Sequence, residues 1–257
     1  MSFCQVSERK KSMRWTSKSF ILDLKRYNDR SYILEAFTYE NGRHKGLIRG
    51  IHSKNLRGVV EPGNEVILHW SGRLESHLGN FSVEPIRSWS SLVLENKEKL
   101  MAMSSLCSII SATMAEKQQN ISIYDSSIEL IKKIVDEKQS WIKNYIFWEL
   151  NLLSEIGYGL DLSECAVTNN KDDLKYISPA SGRAVTKVGA GDYKDKLFEL
   201  PEFFLDIEGQ SQHKDIINAI NITEYFLKKR FYEPNNLNFP QSRNRLKEAL
   251  YKINYEN

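Results

Sequence analysis

The first third of the chain alternates short apolar runs with turn residues, a pattern typical of β-strands. Five such runs, partly β-branched, begin at Phe20, Tyr32, Lys45, Glu65 and Phe81. Between the second and third runs, the Asn41-Gly42 pair predicts a tight hairpin with positive φ at both residues. Because closing a sheet into a barrel removes its exposed edges, five strands within about 70 residues predict a small closed barrel.

In the remaining two thirds, apolar residues recur at the spacing of an α-helix. The run Trp141–Ile156 predicts a strongly apolar helix, and Gly157 is well placed to end it. Residues 158–200 are polar and rich in turn residues, so we expect loops there. Further helices are expected from about Gln212 to Arg230 and from near Pro240 onward. The expected fold is α+β, with an N-terminal barrel and a helical C-terminal domain.

Composition places the chain among ordinary globular proteins, with 41% hydrophobic and 27% charged residues. No apolar stretch reaches the roughly 20 residues that a bilayer-spanning helix requires. Cys4, Cys107 and Cys165 are isolated in sequence, which excludes a disulfide framework and the paired spacing of a structural zinc site. The first twelve residues lack the apolar core of a secretory signal, so we expect a reducing, cytoplasmic location.

Catalytic patterns are missing from the sequence. The five histidines do not have the spacing of a helical metal site, and no glycine-rich loop follows a strand to cradle phosphate. His69 and His77 could act as ligands, but ordinary surface histidines of a barrel are the favoured interpretation. We therefore expect no catalytic residue, no metal ligand and no cofactor, and we expect that the protein is not an enzyme.

Charge is distributed unevenly along the chain, which indicates a polyanionic partner. Residues 1–88 carry 15 Lys and Arg against 9 Asp and Glu, whereas residues 89–257 carry 21 against 24. The candidate nucleic-acid-binding residues are the cations of the barrel region: Arg26, Arg30, Arg43, Lys45, Arg49, Lys54 and Arg57. The five-stranded barrel most often associated with such charge is the OB-fold, which binds nucleic acid.

Aromatic residues are interleaved with these cations, namely Tyr27, Tyr32, Tyr39 and Trp70. The mixture suits single-stranded nucleic acid, because cations meet phosphates while aromatic faces stack on bases. The alternative is that some rings fill the barrel interior while the cations merely solvate its outside. Alternation along the second run favours this alternative for about half of the rings, so the cations are the stronger prediction.

Several stretches in combination carry a family resemblance. The most specific is Phe147–Thr168, in which the apolar helix is followed by Gly157-Tyr-Gly-Leu-Asp161, and Ile177–Val185 continues the likeness. Leu197–Pro201, Gly46–Gly50 and Pro62–Asn64 add to it. With these stretches the sequence resembles the RecO family of bacterial recombination mediators, over nearly the whole chain from Met13 onward.

The resemblance implies an OB-fold DNA-binding domain at 13–88 and a helical domain at 89–257, with a loop insertion at about 158–205. Residues 1–12 are then an extension, either a disordered basic tail or an upstream start. Many members carry a four-cysteine zinc module after the Gly-Tyr-Gly-Leu-Asp turn. Here Thr168 stands where the second cysteine is expected, so we expect no zinc, with packing and hydrogen bonds from Ser178, Pro179 and Arg183 in its place.

For function, the resemblance implies a non-enzymatic DNA repair mediator associated with the nucleoid. Family members bind single- and double-stranded DNA, anneal complementary strands, and engage the acidic C-terminal tail of single-stranded DNA-binding protein. With RecR they help to load RecA, and RecF is a further expected partner; a membrane partner is not expected.

An acidic tail needs a cation beside an apolar pocket, and the helical domain offers two such clusters. The candidates are Lys228, Lys229, Arg230, Arg243 and Arg245. The alternative is that these groups solvate two terminal helices. Two other functions also stay open: an OB-fold module that binds RNA, and a protein scaffold in which the barrel is incidental.

Overall fold

The computed structural model describes residues 13–54, 56–74, 76–136, 141–206 and 211–252. The chain divides into two compact units. The first holds the described residues up to Leu92 together with Met114–Ile121, and the second holds Val93–Thr113 and the described residues from Ser122 onward. Nothing in the sequence pattern indicated that Met114–Ile121 packs with the barrel. The expected boundary between an OB-fold domain ending at residue 88 and a helical domain beginning at residue 89 stays a prediction. The expected extension at 1–12 lies outside the described residues.

The first unit contains a closed five-stranded barrel with strand order β1-β2-β3-β5-β4, as the sequence predicts. Its strands are β1 (Met13–Arg26), β2 (Ser31–Thr38), β3 (Gly42–Arg49), β4 (Glu65–Gly72) and β5 (Asn80–Arg87). Neighbouring strands are antiparallel except β3 and β5, which meet in parallel at Leu47 and Asn80. β1 begins earlier than predicted because its first half pairs with β4 and its second half with β2.

Alternate residues of the strands fill the barrel interior. Leu34, Ile48 and Leu68 are buried there, each contributing about 1.5–3 kcal/mol relative to exposure. Trp70 is also buried and stacks on Trp15, with ring centroids 5.8 Å apart and planes at 9°. These side chains fill the barrel interior and are therefore not available at its surface. The alternation along β2 predicts such burial for about half of the aromatic residues.

The hairpin between β2 and β3 differs from the prediction. Tyr39–Asn41 form a three-residue turn, and Thr38 pairs with Gly42. Gly42 has a φ of +65°, whereas Asn41 does not have a positive φ, so the prediction of positive φ at both residues is wrong. Three-residue turns followed by one left-handed residue are a common hairpin connection. A Cβ atom at Gly42 would lie 2.0 Å from the carbonyl oxygen of Gln118, which leaves room only for glycine.

The second unit is mainly helical, as predicted. Its helices are α1 (Lys97–Thr113), α2 (Ile121–Val135), α3 (Trp141–Glu155), α4 (Lys187–Ala190), α5 (His213–Phe226) and α6 (Gln241–Lys252), with a π-helical segment, Leu227–Tyr232, that continues α5. Gly157 follows α3 with a φ of +85°, which confirms the expected helix end. In the part of the chain that the structure describes, no helix is long and apolar enough to cross a membrane.

The insertion contains more regular structure than expected. Three short strands, β6 (Leu174–Ile177), β7 (Ala184–Thr186) and β8 (Phe198–Glu199), form a sheet in the order β7-β6-β8. Strands of two to four residues are too short to leave a periodic signal, so the sequence pattern indicated only loops. The turn between β6 and β7 is closed by a hydrogen bond from the Ser178 N–H to the Arg183 carbonyl at 2.9 Å, which uses two residues expected to stabilise it.

Candidate nucleic-acid interface

The seven candidate cations of the barrel fall into two groups at different ends of β3. Five of them define what we call the barrel-end basic surface: Arg26, Arg30, Arg49, Lys54 and Arg57. β-Pairing places Arg26 beside Tyr32 and Arg49 beside Ser31, so the turn after β1 and the loop after β3 are neighbours. The Tyr32 hydroxyl lies 3.1 Å from Nε2 of His52, which ties that loop to β2.

All five residues of the barrel-end basic surface are exposed. Arg26 pairs with Asp29 at 2.8 Å, an exposed contact of the kind that contributes little to stability. Arg49 donates a hydrogen bond from Nε to the Ser31 hydroxyl at 3.3 Å. Arg30, Arg49, Lys54 and Arg57 form no ion pair with any acid that the structure describes, so their charges are not neutralised locally.

Arg43 belongs to the second group, about 20 Å from Arg49 by the rise of six strand residues. Its Nη1 lies 2.5 Å from Oε1 of Glu35, and its Nε donates to the Met114 carbonyl at 2.8 Å. The Arg43 side chain is only 14% exposed. A guanidinium in this position links β3 to β2 and to the Met114 carbonyl and has little surface to offer a phosphate, while the expected role of Arg43 in DNA binding stays a prediction.

Lys45, the other member of the second group, is paired with Glu116 at 2.9 Å. Glu116 is held beside β3 because the Lys117 N–H donates to the Arg43 carbonyl at 2.9 Å. The hydrogen bond from Lys45 is the largest influence on Glu116 and, against the opposing effect of burial, keeps the pKa of this carboxyl below its usual value. The positive charge of Lys45 is therefore matched by a carboxylate that stays ionised.

In the second unit, three of the five candidate tail-binding cations lie on the π-helical continuation of α5, and each has a partner. The contacts are Lys228 with Glu224 at 2.5 Å and with the Phe239 ring at 4.7 Å, Lys229 with Glu233 at 3.0 Å, and Arg230 with the Ala180 carbonyl. These partners orient the side chains, while Lys229 stays more than half exposed.

Arg243 is fully buried, which the sequence did not indicate. Its Nε and Nη2 donate to the two carboxylate oxygens of Glu149 at 2.6 and 3.0 Å, and Nη2 also reaches the Ile220 carbonyl at 3.1 Å. Burial, the largest single influence, would lower the pKa of Arg243, but Glu149, Tyr145 and Glu224 together outweigh it and raise the pKa. Because a buried guanidinium cannot touch a partner, Arg243 is a structural residue, whereas its neighbour Arg245 is exposed.

A groove of about 510 Å³ lies between α5 and α6 near these cations. It is lined by Glu224, Asn244, Lys247, Glu248, Tyr251 and Lys252. Lys247 lies 2.9 Å from Glu224, the same carboxylate that pairs with Lys228. Sequence reasoning missed Lys247 and Lys252, since single cations on a helix give no signal until the facing helix is known.

Cys165 is the remaining residue with unusual chemistry. Its buried Sγ accepts hydrogen bonds from the N–H groups of Val167, Thr168 and Thr186 at 3.3–3.4 Å. Burial raises the pKa of the thiol, but hydrogen bonds from Thr168 and Thr186 outweigh this effect and lower it to about 6. Zinc needs four N, S or O ligands, and the described residues contain no group of three His, Cys, Asp or Glu that could hold a metal. This donor set does not fit zinc, and the absence of zinc stays a prediction.

Comparison with known proteins finds a family match for each of two long stretches of the chain. Residues 13–89 match the family described as Recombination protein O N terminal, and residues 94–236 match Recombination protein O C terminal. The chain is 34% identical to the DNA repair protein RecO of Ruegeria sp. (strain TM1040) over 239 residues, which cover 93% of this chain and 98% of that protein. It is 36% identical to the DNA repair protein RecO of Dinoroseobacter shibae over 218 residues, or 85% and 89% of the two chains. The OB-like barrel, the helical unit and these matches agree, and the chain belongs to the RecO family of DNA repair proteins.

Proposed function

We propose that the protein is a recombination mediator that binds single- and double-stranded DNA through the barrel-end basic surface and anneals complementary strands. It acts by binding, without turnover of a substrate. The observation that carries this proposal is the grouping at one barrel end of four exposed cations that no described acid neutralises: Arg30, Arg49, Lys54 and Arg57.

The physical basis is the release of counterions. Each phosphate that meets a Lys or Arg side chain frees condensed cations, so binding is favourable and weakens as salt is added. Cations hold phosphates and leave base edges open, and annealing requires two strands that are neutralised without having their bases covered. An exposed surface of four or five cations satisfies both conditions.

The proposal narrows the sequence-based set of seven residues. Arg43 and Lys45 are already paired with Glu35 and Glu116, so their contribution to DNA binding is secondary. Their main effect is to hold β3, the strand that ends in Arg49. The expected contribution of Arg26 to DNA binding is intermediate, because its exposed ion pair with Asp29 is readily exchanged for a contact with a phosphate.

For the partner protein, we propose that the acidic tail of single-stranded DNA-binding protein binds in the groove between α5 and α6. Lys252 supplies exposed positive charge, Lys247 exchanges its contact with Glu224 for the tail, and the half-exposed Tyr251 ring supplies apolar surface. Lys228 does not line the groove, but it contacts Glu224, the carboxylate that also binds Lys247. RecR, RecF and RecA are further partners implied by a mediator role, with no residue assigned to them.

The test is the annealing rate of complementary strands coated with their cognate single-stranded DNA-binding protein, with and without this protein, over a salt series. We expect acceleration that fades as salt rises and is lost when the coating protein lacks its acidic tail. A double variant, Lys247→Ala with Lys252→Ala, is expected to lose acceleration on coated strands and to keep it on naked strands. Lys187→Ala with Lys194→Ala is the control, since both lysines are exposed in the insertion and neither lines the groove.

No acceleration by folded protein at any salt concentration would contradict the mediator role. Tighter binding to an RNA strand of the same sequence would instead favour an RNA-binding module. If the Lys247→Ala, Lys252→Ala variant accelerates coated and naked strands as the wild type does, the groove is not the tail site.

A further inference from the structure

The aromatic residues interleaved with the barrel cations differ sharply in exposure. Trp70 is 1% exposed, Tyr39 is half-buried, and Tyr32 is half-buried with its hydroxyl directed to His52. Tyr27 is 60% exposed. No residue that the structure describes stacks on the Tyr27 ring or hydrogen-bonds its hydroxyl, so the ring is largely open to solvent.

The position of Tyr27 is fixed by the turn that carries it. The N–H groups of Tyr27 and Asn28 both donate to the Ser31 carbonyl, at 3.0 and 3.1 Å. The Asn28 side chain accepts a further hydrogen bond from the Arg30 N–H at 3.0 Å, which closes the turn locally. An exposed ring on an ordered turn loses little conformational freedom when a ligand binds to it.

Tyr27 and Arg49 lie on either side of Ser31. The Ser31 carbonyl accepts from Tyr27, while the Ser31 hydroxyl accepts from Nε of Arg49 at 3.3 Å. Two strand spacings separate the backbones of Tyr27 and Arg49 by about 10 Å. An aromatic face and a phosphate-binding cation therefore stand side by side at the same barrel end.

We propose that Tyr27 stacks on a base of single-stranded DNA and gives the barrel-end basic surface its preference for single strands over duplex. This inference rests on the DNA binding proposed above and names the residue that selects the strand type. In a duplex every base is already paired and stacked, so the ring gains nothing, whereas the cations bind both forms.

The test compares the affinities of wild type, Tyr27→Ala and Tyr27→Phe for a labelled single strand and for a duplex of equal length, over a salt series. For Tyr27→Ala we expect a loss of roughly 5- to 150-fold on the single strand, with an unchanged salt slope, because stacking is not ionic. Duplex affinity should stay the same. Tyr27→Phe should bind like wild type, since it keeps the ring. Tyr193→Ala is the matched control, because Tyr193 is an exposed tyrosine of the second unit.

Equal losses on single strand and duplex would overturn the inference, because the ring then does not select the strand type. So would an unchanged single-strand affinity in Tyr27→Ala when the wild type binds, and this result would leave the proposed DNA binding intact. If wild-type protein binds neither form, the proposed function fails as well. The circular-dichroism melting curve of each variant establishes that it is folded.

Discussion

Arg43 and Glu35 form an ion pair that is almost entirely buried, with 2.5 Å between Nη1 and Oε1. The two residues lie on neighbouring strands, β3 and β2. Arg43 also donates to the Met114 carbonyl, so the same side chain holds the Met114–Ile121 segment against the barrel. Arg43, one of the seven candidate DNA-binding cations, is thus bound mainly by other parts of the protein, and charge counted along the sequence overstates the charge that is exposed to solvent.

The variant Arg43→Met tests this structural role. It leaves the Glu35 carboxylate buried without its partner, and removing one member of a buried pair costs about 3–5 kcal/mol. We expect the free energy of unfolding to fall by that amount, measured by urea denaturation. Lys54→Met is the control, since Lys54 is exposed and a substitution there changes stability by no more than about 0.5 kcal/mol. Equal effects of the two variants would contradict the assignment.

A substitution of Glu116 is expected to strengthen DNA binding. Glu116→Gln removes the charge that neutralises Lys45, a side chain that is 39% exposed. We expect tighter binding to single-stranded DNA and a salt dependence that is steeper by about 0.7, the value for one added phosphate contact. Fluorescence anisotropy over a salt series measures both quantities.

Glu202→Gln is the matched control for Glu116→Gln, because Glu202 is an exposed acid of the second unit, 3.8 Å from Lys175. DNA binding by this control should match the wild type. If the salt dependence of Glu116→Gln also matches the wild type, DNA does not reach Lys45.

Local patterns in the sequence predict much of the fold. Alternation and turn residues are enough for the five barrel strands, and the apolar run from Trp141 with Gly157 behind it is enough for α3. Such signals depend on neighbours a few residues apart. They fail for β8, whose two residues cover a single period of the strand alternation and so cannot show a repeat.

The candidate site is less predictable because long-range pairing decides which charges are exposed. Lys45 and Glu116 are 71 positions apart, and Arg243 and Glu149 are 94 positions apart. No local pattern distinguishes buried Arg243 from exposed Arg245, although only two positions separate them. Tyr27 and Tyr32 flank the same turn in the sequence, and only the barrel shows which of the two rings is half-buried.

Because Arg243 is paired with buried Glu149, we expect substitutions of Arg243 and Arg245, two arginines of α6, to have very different effects on stability. Arg243→Met should lower the free energy of unfolding by about 3–5 kcal/mol, because Glu149 is then left buried and charged without its partner. Arg245→Met should change it by no more than about 0.5 kcal/mol. Denaturant titration of both variants makes the comparison, and similar midpoints would show that Arg243 is not a structural residue.

The lowered pKa of the Cys165 thiol predicts that the stability of the protein depends on pH. Its pKa is lowered to about 6 in the folded state from about 9, so folding favours the thiolate. The stability gained from this preference is fully present above pH 9 and is lost as the pH falls from about 9 through about 6. We expect Cys165→Ser to be more destabilising at the alkaline end of this window than at the acidic end, measured by urea unfolding at both. Equal destabilisation at both would mean that the buried group is a neutral thiol.

The central claim is that DNA binds at the barrel-end basic surface. The most direct measurement is the salt dependence of single-stranded DNA affinity for wild type and for a variant in which Arg30, Arg49, Lys54 and Arg57 are replaced by Ala. The control replaces four exposed lysines of the insertion, namely Lys171, Lys187, Lys194 and Lys196, and so changes the net charge equally. The account predicts weaker binding and a salt slope shallower by roughly 3 in the barrel variant, with little change in the control. An unchanged slope in the barrel variant, or equal changes in both, would contradict it.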